Sequence, residues 1–376
     1  MFDVQNILIM PTDRRPIEKI ELEGYKSFRK LPPFQMSGGI NLLIGANGSG
    51  KTNFIRFFEL LRNMMDKSKG LQNYLSSRGR ADAFLFRGLK VTEQFGAHLW
   101  FGLNQYQFTL KAASDRSMFF AQESAPFRGP IYGEIQNQQG SGHTESGLIK
   151  SSHPSASEKW VIDAITDWRV YHFHDTSASA GVMGLCNTVD NTRLHGDASN
   201  LAAFLMRLKV AEPQYYDRIL KTIRLVAPFF GDFELKEVSP GQTQLLWKEQ
   251  YSDLIFYPHQ LSDGTIRFIC LVALLLQPKP PSTIIIDEPE LGLHPYAIEM
   301  LAGLLREAAS KCQLIVSTQS RHLVDEFTPE DLIVVDRKDG ETIFTRPDSR
   351  ALKDWLDDYS LGELWGKNVL GGRPNK

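Results

Sequence analysis

The sequence predicts an α/β fold: a mixed, mostly parallel core sheet with helices on its faces, joined to an antiparallel β piece. Two strand-and-helix successions carry this reading. The first is Gly39-Ile-Asn-Leu-Leu-Ile-Gly45 followed by a helical stretch from Asn53 to Met65. The second is Thr283-Ile-Ile-Ile-Asp287, a helical stretch from about Pro295 to Ser310, then Gln313-Leu-Ile-Val-Ser317. Short aliphatic strands separated by helices are what parallel pairing through crossovers requires. The third observation is a hairpin pattern from about Gln94 to Ala112, with the turn near Asn104-Gln105, which places an antiparallel piece after the first strand–helix unit.

Along the chain, residues 17–28 alternate apolar and polar before reaching Gly24, as an edge-like strand and turn do. Gly39 to Gly45 is wholly aliphatic apart from Asn41, the signature of a strand buried on both faces. In the helix that follows, Phe54, Ile55, Phe57, Phe58, Leu61 and Met65 form a wide apolar face. Between about Ala113 and Glu158 the chain is rich in Ser, Gly, Gln and Pro, which reads as weak strands and mobile loops. Trp168 to Phe173 suits a further strand, and Asn200 to Val226 holds two helical segments separated near Pro213. Leu332-Ile-Val-Val335 and a short C-terminal helix complete the succession. No heptad pattern persists beyond a few turns, so no long coiled coil is expected.

Composition sets the outer bounds. The 376 residues contain 42% hydrophobic and 23% charged side chains, the balance of an ordinary globular protein. Lys plus Arg number 42 against 44 Asp plus Glu, so no global charge drives the chain onto nucleic acid or acidic lipid. Cys186, Cys270 and Cys312 stand far apart without a C-x-x-C pair, which argues against a disulfide framework or an all-cysteine zinc site and suits a reducing cytoplasm. The longest apolar run, Phe268 to Leu276, falls far short of the roughly 20 residues that span a bilayer, so no membrane contact is expected. Asp3 and the short run Ile7 to Met10 lack the pattern of a secretory signal, and export is not expected.

Gly45-Ala-Asn-Gly-Ser-Gly-Lys-Thr52 fits G-x-x-x-x-G-K-[ST] and lies between an aliphatic strand and a helix. In such a loop the backbone at Gly45, Asn47, Gly48, Ser49 and Gly50 turns its N–H groups towards phosphates at a helix N-terminus. Lys51 would reach the β- and γ-phosphates of ATP, and the Thr52 hydroxyl would ligate Mg²⁺. Ile284-Ile-Ile-Asp-Glu288 delivers two carboxylates at the end of a strand, where open α/β sheets bind ligands. Asp287 would hold the magnesium shell, and Glu288 would orient or deprotonate an attacking water. Leu261-Ser-Asp-Gly-Thr265 opens another helix, so Ser262 and the Gly264 N–H stand at its N-terminus, where a plain N-cap would also place them.

Together these elements resemble ABC-type ATPases, with a P-loop, an L-S-x-G signature and an Asp-Glu strand. More narrowly, Glu21-Leu-Glu-Gly-Tyr-Lys-Ser-Phe28, Asp287-Glu-Pro-Glu-Leu-Gly-Leu-His-Pro295 and Ser317-Thr-Gln-Ser320 resemble the RecF/SMC-related group, the AAA_21-type ATPases. The resemblance covers residues 17–60 and 255–335. It implies an ABC-type P-loop NTPase head made as a single domain over 1–376. Within it, the lobe 17–112 carries the P-loop and the β subdomain, 113–160 is a flexible segment, 197–230 is a short helical insert, and the lobe 255–345 carries the signature and switch. The resemblance also implies a homodimer, or a higher assembly, closed around two ATP molecules, with Ser262 and Gly264 contacting the γ-phosphate held by the opposite protomer. Asp263 stands where transporter-type signatures have a second glycine, and the switch position carries Gln319 where ABC ATPases usually have histidine. Gln319 can donate to a γ-phosphate but cannot carry an imidazolium's charge, which points to slow or partner-dependent hydrolysis. The glutamine of the usual Q-loop has two candidates, Gln72 and Gln94.

Between Lys51 and Lys90 lie nine basic and three acidic residues. Either a solvated basic face or contact with DNA through Arg62, Lys67, Lys69, Arg78 and Arg80 accounts for this. His172 and His174 would share one face of a strand, but spacing fixes no further ligand, so they read as polar residues at a strand end. The resemblance places the chain with ATPases of DNA repair and anti-phage defence. After Asp336 about 40 residues remain, too few for an appended nuclease domain, so a separately encoded nuclease or effector is expected. The competing expectation is a nucleotide-dependent scaffold or sensor, in which ATP binding and not turnover holds an assembly closed.

Overall fold

The structure is a computed structural model that describes residues 15–129 and 133–372. The run Ile7 to Met10, considered above as a signal, lies outside the described residues. In chain order, the elements that build the site are β1 (Lys19–Tyr25), β2 (Phe28–Gln35), β3 (Ile40–Ile44), α1 (Lys51–Met64), β4 (Gln94–Phe101), β5 (Asn104–Ala112), β6 (Met118–Ser124) and α2 (Ala156–Asp167). They continue with β7 (Arg169–Tyr171), α3 (Leu201–Ala211), α4 (Pro213–Val226), α5 (Asp263–Leu275), β8 (Thr283–Asp287), α6 (Pro295–Ala309), β9 (Gln313–Thr318), β10 (Leu332–Lys338) and β11 (Glu341–Thr345).

The core sheet runs β11-β10-β3-β9-β8-β7. Five strands, β10 through β7, pair in parallel, and β11 returns antiparallel along β10. Side-chain alternation explains why these strands read as unbroken aliphatic runs. Leu42, Ile44, Ile284, Ile286, Leu314 and Val316 face one apolar core, built with α3, α4, α5 and α6. Leu43, Ile285, Ile315, Ile333 and Val335 face a second core, shared with α1 and the antiparallel sheet. Both faces are covered, as parallel sheets demand, and each fully buried aliphatic side chain contributes about 1.5–3 kcal/mol.

The antiparallel sheet runs β2-β1-β4-β5, with β6 also on β5. It packs its aromatic face onto α1: Tyr25 meets Phe57 edge-on at 5.4 Å between ring centres, and Phe28 closes on Phe54, which also meets Phe344 of the core-sheet strand β11. Between Met118 and Leu148 one carboxylate is fully buried. Glu123 accepts hydrogen bonds from Tyr106 Oη (2.7 Å), Ser146 Oγ (2.5 Å) and Gly147 N (2.7 Å), and pairs with His143 Nε2 at 2.8 Å. Around this carboxylate, Met118, Phe120, Ala125 and Leu148 are buried in the second core.

The longest helix among the described residues, α6, has 15 residues, too short for an extended coiled coil. No helix among them is long and apolar enough to cross a membrane.

Candidate functional site

The loop from Gly45 to Gly50 joins the C-terminal end of β3 to α1, so Lys51 and Thr52 open the helix. Gly50 stands at φ 119° and Gly48 at φ 78°, backbone that glycine takes without strain. A Cβ on Gly45 would lie 2.2 Å from the Val335 carbonyl oxygen, and one on Gly50 would lie 2.1 Å from Thr342 Oγ1. The loop is thus pressed against β10 and β11. Thr342 Oγ1 lies 2.7 Å from the Ser49 carbonyl and 2.8 Å from Ser27 Oγ, which also accepts from Asn53 Nδ2 at 2.9 Å. Thr342 and Ser27 therefore brace the loop from behind, a role that no local sequence signal announces.

Lys51 is only 4% exposed, and its Nζ donates to Gly45 O at 2.5 Å and Ala46 O at 3.1 Å. Burial holds its pKa below the ordinary lysine value against the upward pull of Glu288, Asp287 and Glu290. The carboxylates at and after the end of β8 therefore act on the Lys51 ammonium in the loop. Ser49 Oγ is buried with no partner, and the Thr52 side chain is exposed at the mouth of the loop. An unpaired donor, a buried ammonium and glycines too crowded to carry a Cβ fit a phosphate group with its cation.

Asp287 ends β8 level with Ser317 of β9, whose Oγ donates to Asp287 Oδ1. Glu288 follows at φ 43°, a strained setting for a non-glycine residue. Its backbone N–H donates to the Ser317 carbonyl at 3.0 Å, which holds it there. Gln319 Nε2 donates to Glu288 Oε1, so the switch glutamine and the carboxylate expected to handle water are in direct contact.

Behind them, Glu290 is 8% exposed, and its Oε1 accepts from Thr318 Oγ1 (2.5 Å), Gln319 N (3.0 Å) and Ser320 N (3.2 Å). Its other oxygen is buried and unpaired, and burial pushes its pKa up. Glu290 and Ser317 stand inside the two quoted motifs, yet their positioning roles emerge only from the β8–β9 register. His294 caps α6 by accepting from Tyr296 N, with Pro295 at the first helical position, which accounts for the His-Pro that ends the run.

Ser262 is exposed and caps α5, accepting from Thr265 N at 3.2 Å. A Cβ on Gly264 would lie 2.5 Å from Gly292 O, so the signature turn packs on the segment that follows Glu290. Arg267, one turn into α5, locks three segments together. It donates to Phe173 O (3.1 Å), His174 O (2.8 Å) and Leu291 O (2.9 Å). Sequence reasoning passed over Arg267, because nothing in its spacing distinguishes it from a surface arginine.

Neither Q-loop candidate approaches the site. Gln72 Nε2 donates to the carbonyls of Met118 and Thr144, and Gln94 begins β4 at an exposed position. The turn beside Asp287 instead carries His172 and His174, just after β7.

The basic residues considered for DNA have different partners. Arg78 lies 3.7 Å from Glu59 and Arg80 donates to Asp115 O at 3.5 Å. Arg62 and Lys67 instead line a cleft of about 810 Å³ with Arg169, Arg193, Arg207 and Lys279. This cleft lies at the N-terminal ends of β7 and β8 and the C-terminal end of α1, opposite the loop. Asp66, Asp163 and Asp167 also line the cleft. Burial, and then Arg62 and Arg193, lower the Arg169 pKa to about 10 against the upward pull of Asp167.

The family model described as "AAA domain, putative AbiEii toxin, Type IV TA system" matches residues 40–325. Among solved structures, the chain resembles the SmcHead bound to the C-winged helix domain of ScpA, with TM-score 0.59 at 16% identity over 90% of this chain and 99% of that one. It also resembles the Smc head domain with an extended coiled coil bound to the C-terminal domain of ScpA derived from Pyrococcus furiosus. There the TM-score is 0.54 at 14% identity, over 91% of this chain and 98% of that one. At such identities the likeness is one of fold, and no long coiled coil lies among the described residues. With the family model spanning most of the sequence, the chain belongs to the AAA_21 family of RecF/SMC-like ABC-type ATPases.

Proposed function

We propose that this chain binds and hydrolyses ATP within a homodimer that ATP closes, and that the closed state controls a nucleic-acid transaction in repair or antiviral defence. The observation that carries the reading is the buried Lys51 ammonium, held in its glycine loop and coupled to Asp287, Glu288 and Glu290. Lys51 would exchange its two loop carbonyls for phosphate oxygens, and the backbone N–H groups of 47–52 would surround them. Thr52 and Asp287 would hold Mg²⁺, which when bound neutralises charge developing between the β- and γ-phosphates. Glu288 accepts the proton of the attacking water, and Gln319 keeps its carboxylate in place.

Ser262 and Gly264 would complete the site of the opposite protomer, a role supported by Ser262 being exposed at a helix N-terminus. The nucleic-acid step is supported by the basic cleft lined by Arg62 and Lys67, and a separately encoded nuclease or effector would cut. The contact between Gln319 and Glu288 favours one second reading, a scaffold held closed by ATP, because an amide spent on the carboxylate is not free for phosphate.

Light scattering with a non-hydrolysable ATP analogue tests the dimer. Wild type should pass from monomer to dimer, while Lys51→Ala and Ser262→Arg each stay monomeric. Mixed together under ATP, the two variants retain one intact composite site and should recover part of the wild-type turnover. Closure of Ser262→Arg alone would refute the composite site.

A further inference from the structure

The turn His172-Phe173-His174 has no part in the reading above, yet it lies against Asp287. β7 pairs in parallel with β8, and Tyr171 stands level with Ile286, so the next residue along, His172, comes level with Asp287. One donor atom from each of His172, His174 and Asp287 lies within 4.8 Å of the other two, close enough to share a single ion. The two imidazole rings are tilted at 34°, with centres 6.3 Å apart, so they converge without stacking.

Three neighbours hold this arrangement. His172 Nε2 is 2.8 Å from Glu59 Oε1, which leaves Nδ1 as the ring nitrogen free for an ion. Glu59 is itself held by Tyr74 Oη at 3.2 Å and by Arg78 at 3.7 Å. Arg267 fixes the turn's backbone through the carbonyls of Phe173 and His174, and Ser317 Oγ fixes Asp287 through one carboxylate oxygen, leaving the other. A carboxylate on the distal nitrogen of a histidine is the usual outer support of a metal-bound imidazole, setting its tautomer and ring direction.

We infer that His172, His174 and Asp287 form a site for a first-row divalent transition cation. Two imidazole nitrogens and one carboxylate suit Mn²⁺, Co²⁺ or Zn²⁺, whereas Mg²⁺ favours an all-oxygen shell. The site shares Asp287 with the proposed ATP-bound cation and rests on that reading only for its place beside the nucleotide. The histidine pair thus gives the ATPase its cation preference and lets a cation load before ATP.

The test uses the nucleotide-free full chain titrated with Co²⁺, read by its visible d–d absorption. Wild type should show intensified bands that saturate at one equivalent and survive millimolar Mg²⁺. His172→Asn and His174→Asn should each weaken Co²⁺ at least tenfold, and Glu59→Gln by about tenfold through the lost outer support. Lys51→Ala should keep wild-type Co²⁺ affinity while losing ATP, which separates this inference from the ATP reading. Circular dichroism confirms that each variant is folded. Bands no stronger than those of free aqueous Co²⁺, or histidine variants that bind Co²⁺ like wild type, overturn the inference even if ATP binding is intact.

Discussion

Thr342 gives the sharpest test of how the phosphate loop is built. Thr342→Val preserves the shape of the side chain but removes the hydroxyl that lies 2.7 Å from the Ser49 carbonyl and 2.8 Å from Ser27 Oγ. Ser27 Oγ keeps its bond from Asn53 Nδ2, so the main loss falls on Ser49 O, buried and left without a donor. An unsatisfied buried acceptor costs about 1–3 kcal/mol. Because Ser49 belongs to the loop, relaxation that recovers part of this cost moves the N–H groups of 48–50 away from the positions proposed to bind phosphate. ATP affinity is therefore expected to fall by about tenfold, equivalent to ~1.4 kcal/mol, with a melting temperature lower by a few degrees. Thr342→Ser, which keeps the hydroxyl, should restore both. Calorimetric titration with Mg-ATP and a thermal melt on the same samples read the two effects. Wild-type affinity and stability in Thr342→Val would refute the bracing role.

Two further outcomes are expected. Changing Arg62, Lys67, Arg193 and Lys279 to Glu should weaken binding to DNA of any sequence and flatten its salt dependence, since fewer counterions are released, while ATP affinity stays unchanged; fluorescence anisotropy over a salt series reads this, and wild type without DNA affinity at low salt removes the cleft from the account. Burial, reinforced by Glu288 against donors on Thr318 and Gln319, keeps the Glu290 carboxyl above its ordinary 4.5, so the folded chain binds that proton more tightly than the unfolded one. Stability from this group is present below the ordinary value and is lost as pH rises through it to the raised one. Glu290→Gln cannot titrate, so its melting temperature relative to wild type should climb across that window, and a constant difference would contradict the shift.

Much of the fold and the centre of the site could be read from the sequence because their signals are local. The strand–loop–helix around Lys51 is contiguous, and the aliphatic run into Asp287 states both its burial and its end. What stayed hidden depends on contacts between distant segments. Thr342 reaches Ser49 across 293 positions, and Arg267 reaches the His172–His174 turn across more than 90. No periodicity encodes such pairings. In the stretch 113–160 the few apolar residues that reach the core, Met118, Phe120, Ala125 and Leu148, are widely spaced, and Glu123 with its hydroxyl and imidazole partners adds contacts that no periodicity marks. The charge count over 51–90 registered an excess but not its partners: Arg62 and Lys67 line the cleft, while Arg78 lies 3.7 Å from Glu59. The two histidines were visible as a pair, and only the parallel register of β7 on β8 supplied Asp287 as their third partner.

The central claim is that the strained Glu288, held by Gln319 and Ser317, takes the proton of the water that attacks ATP. Glu288→Gln measures it most directly, because the amide keeps the side chain's size and can still hold a water but cannot accept its proton. Single-turnover assays with radiolabelled ATP, beside calorimetric binding, should show wild-type affinity for Mg-ATP and hydrolysis slowed by about 10²–10⁴-fold. Turnover equal to wild type, with ATP bound as tightly, would contradict the account and move proton transfer to another group.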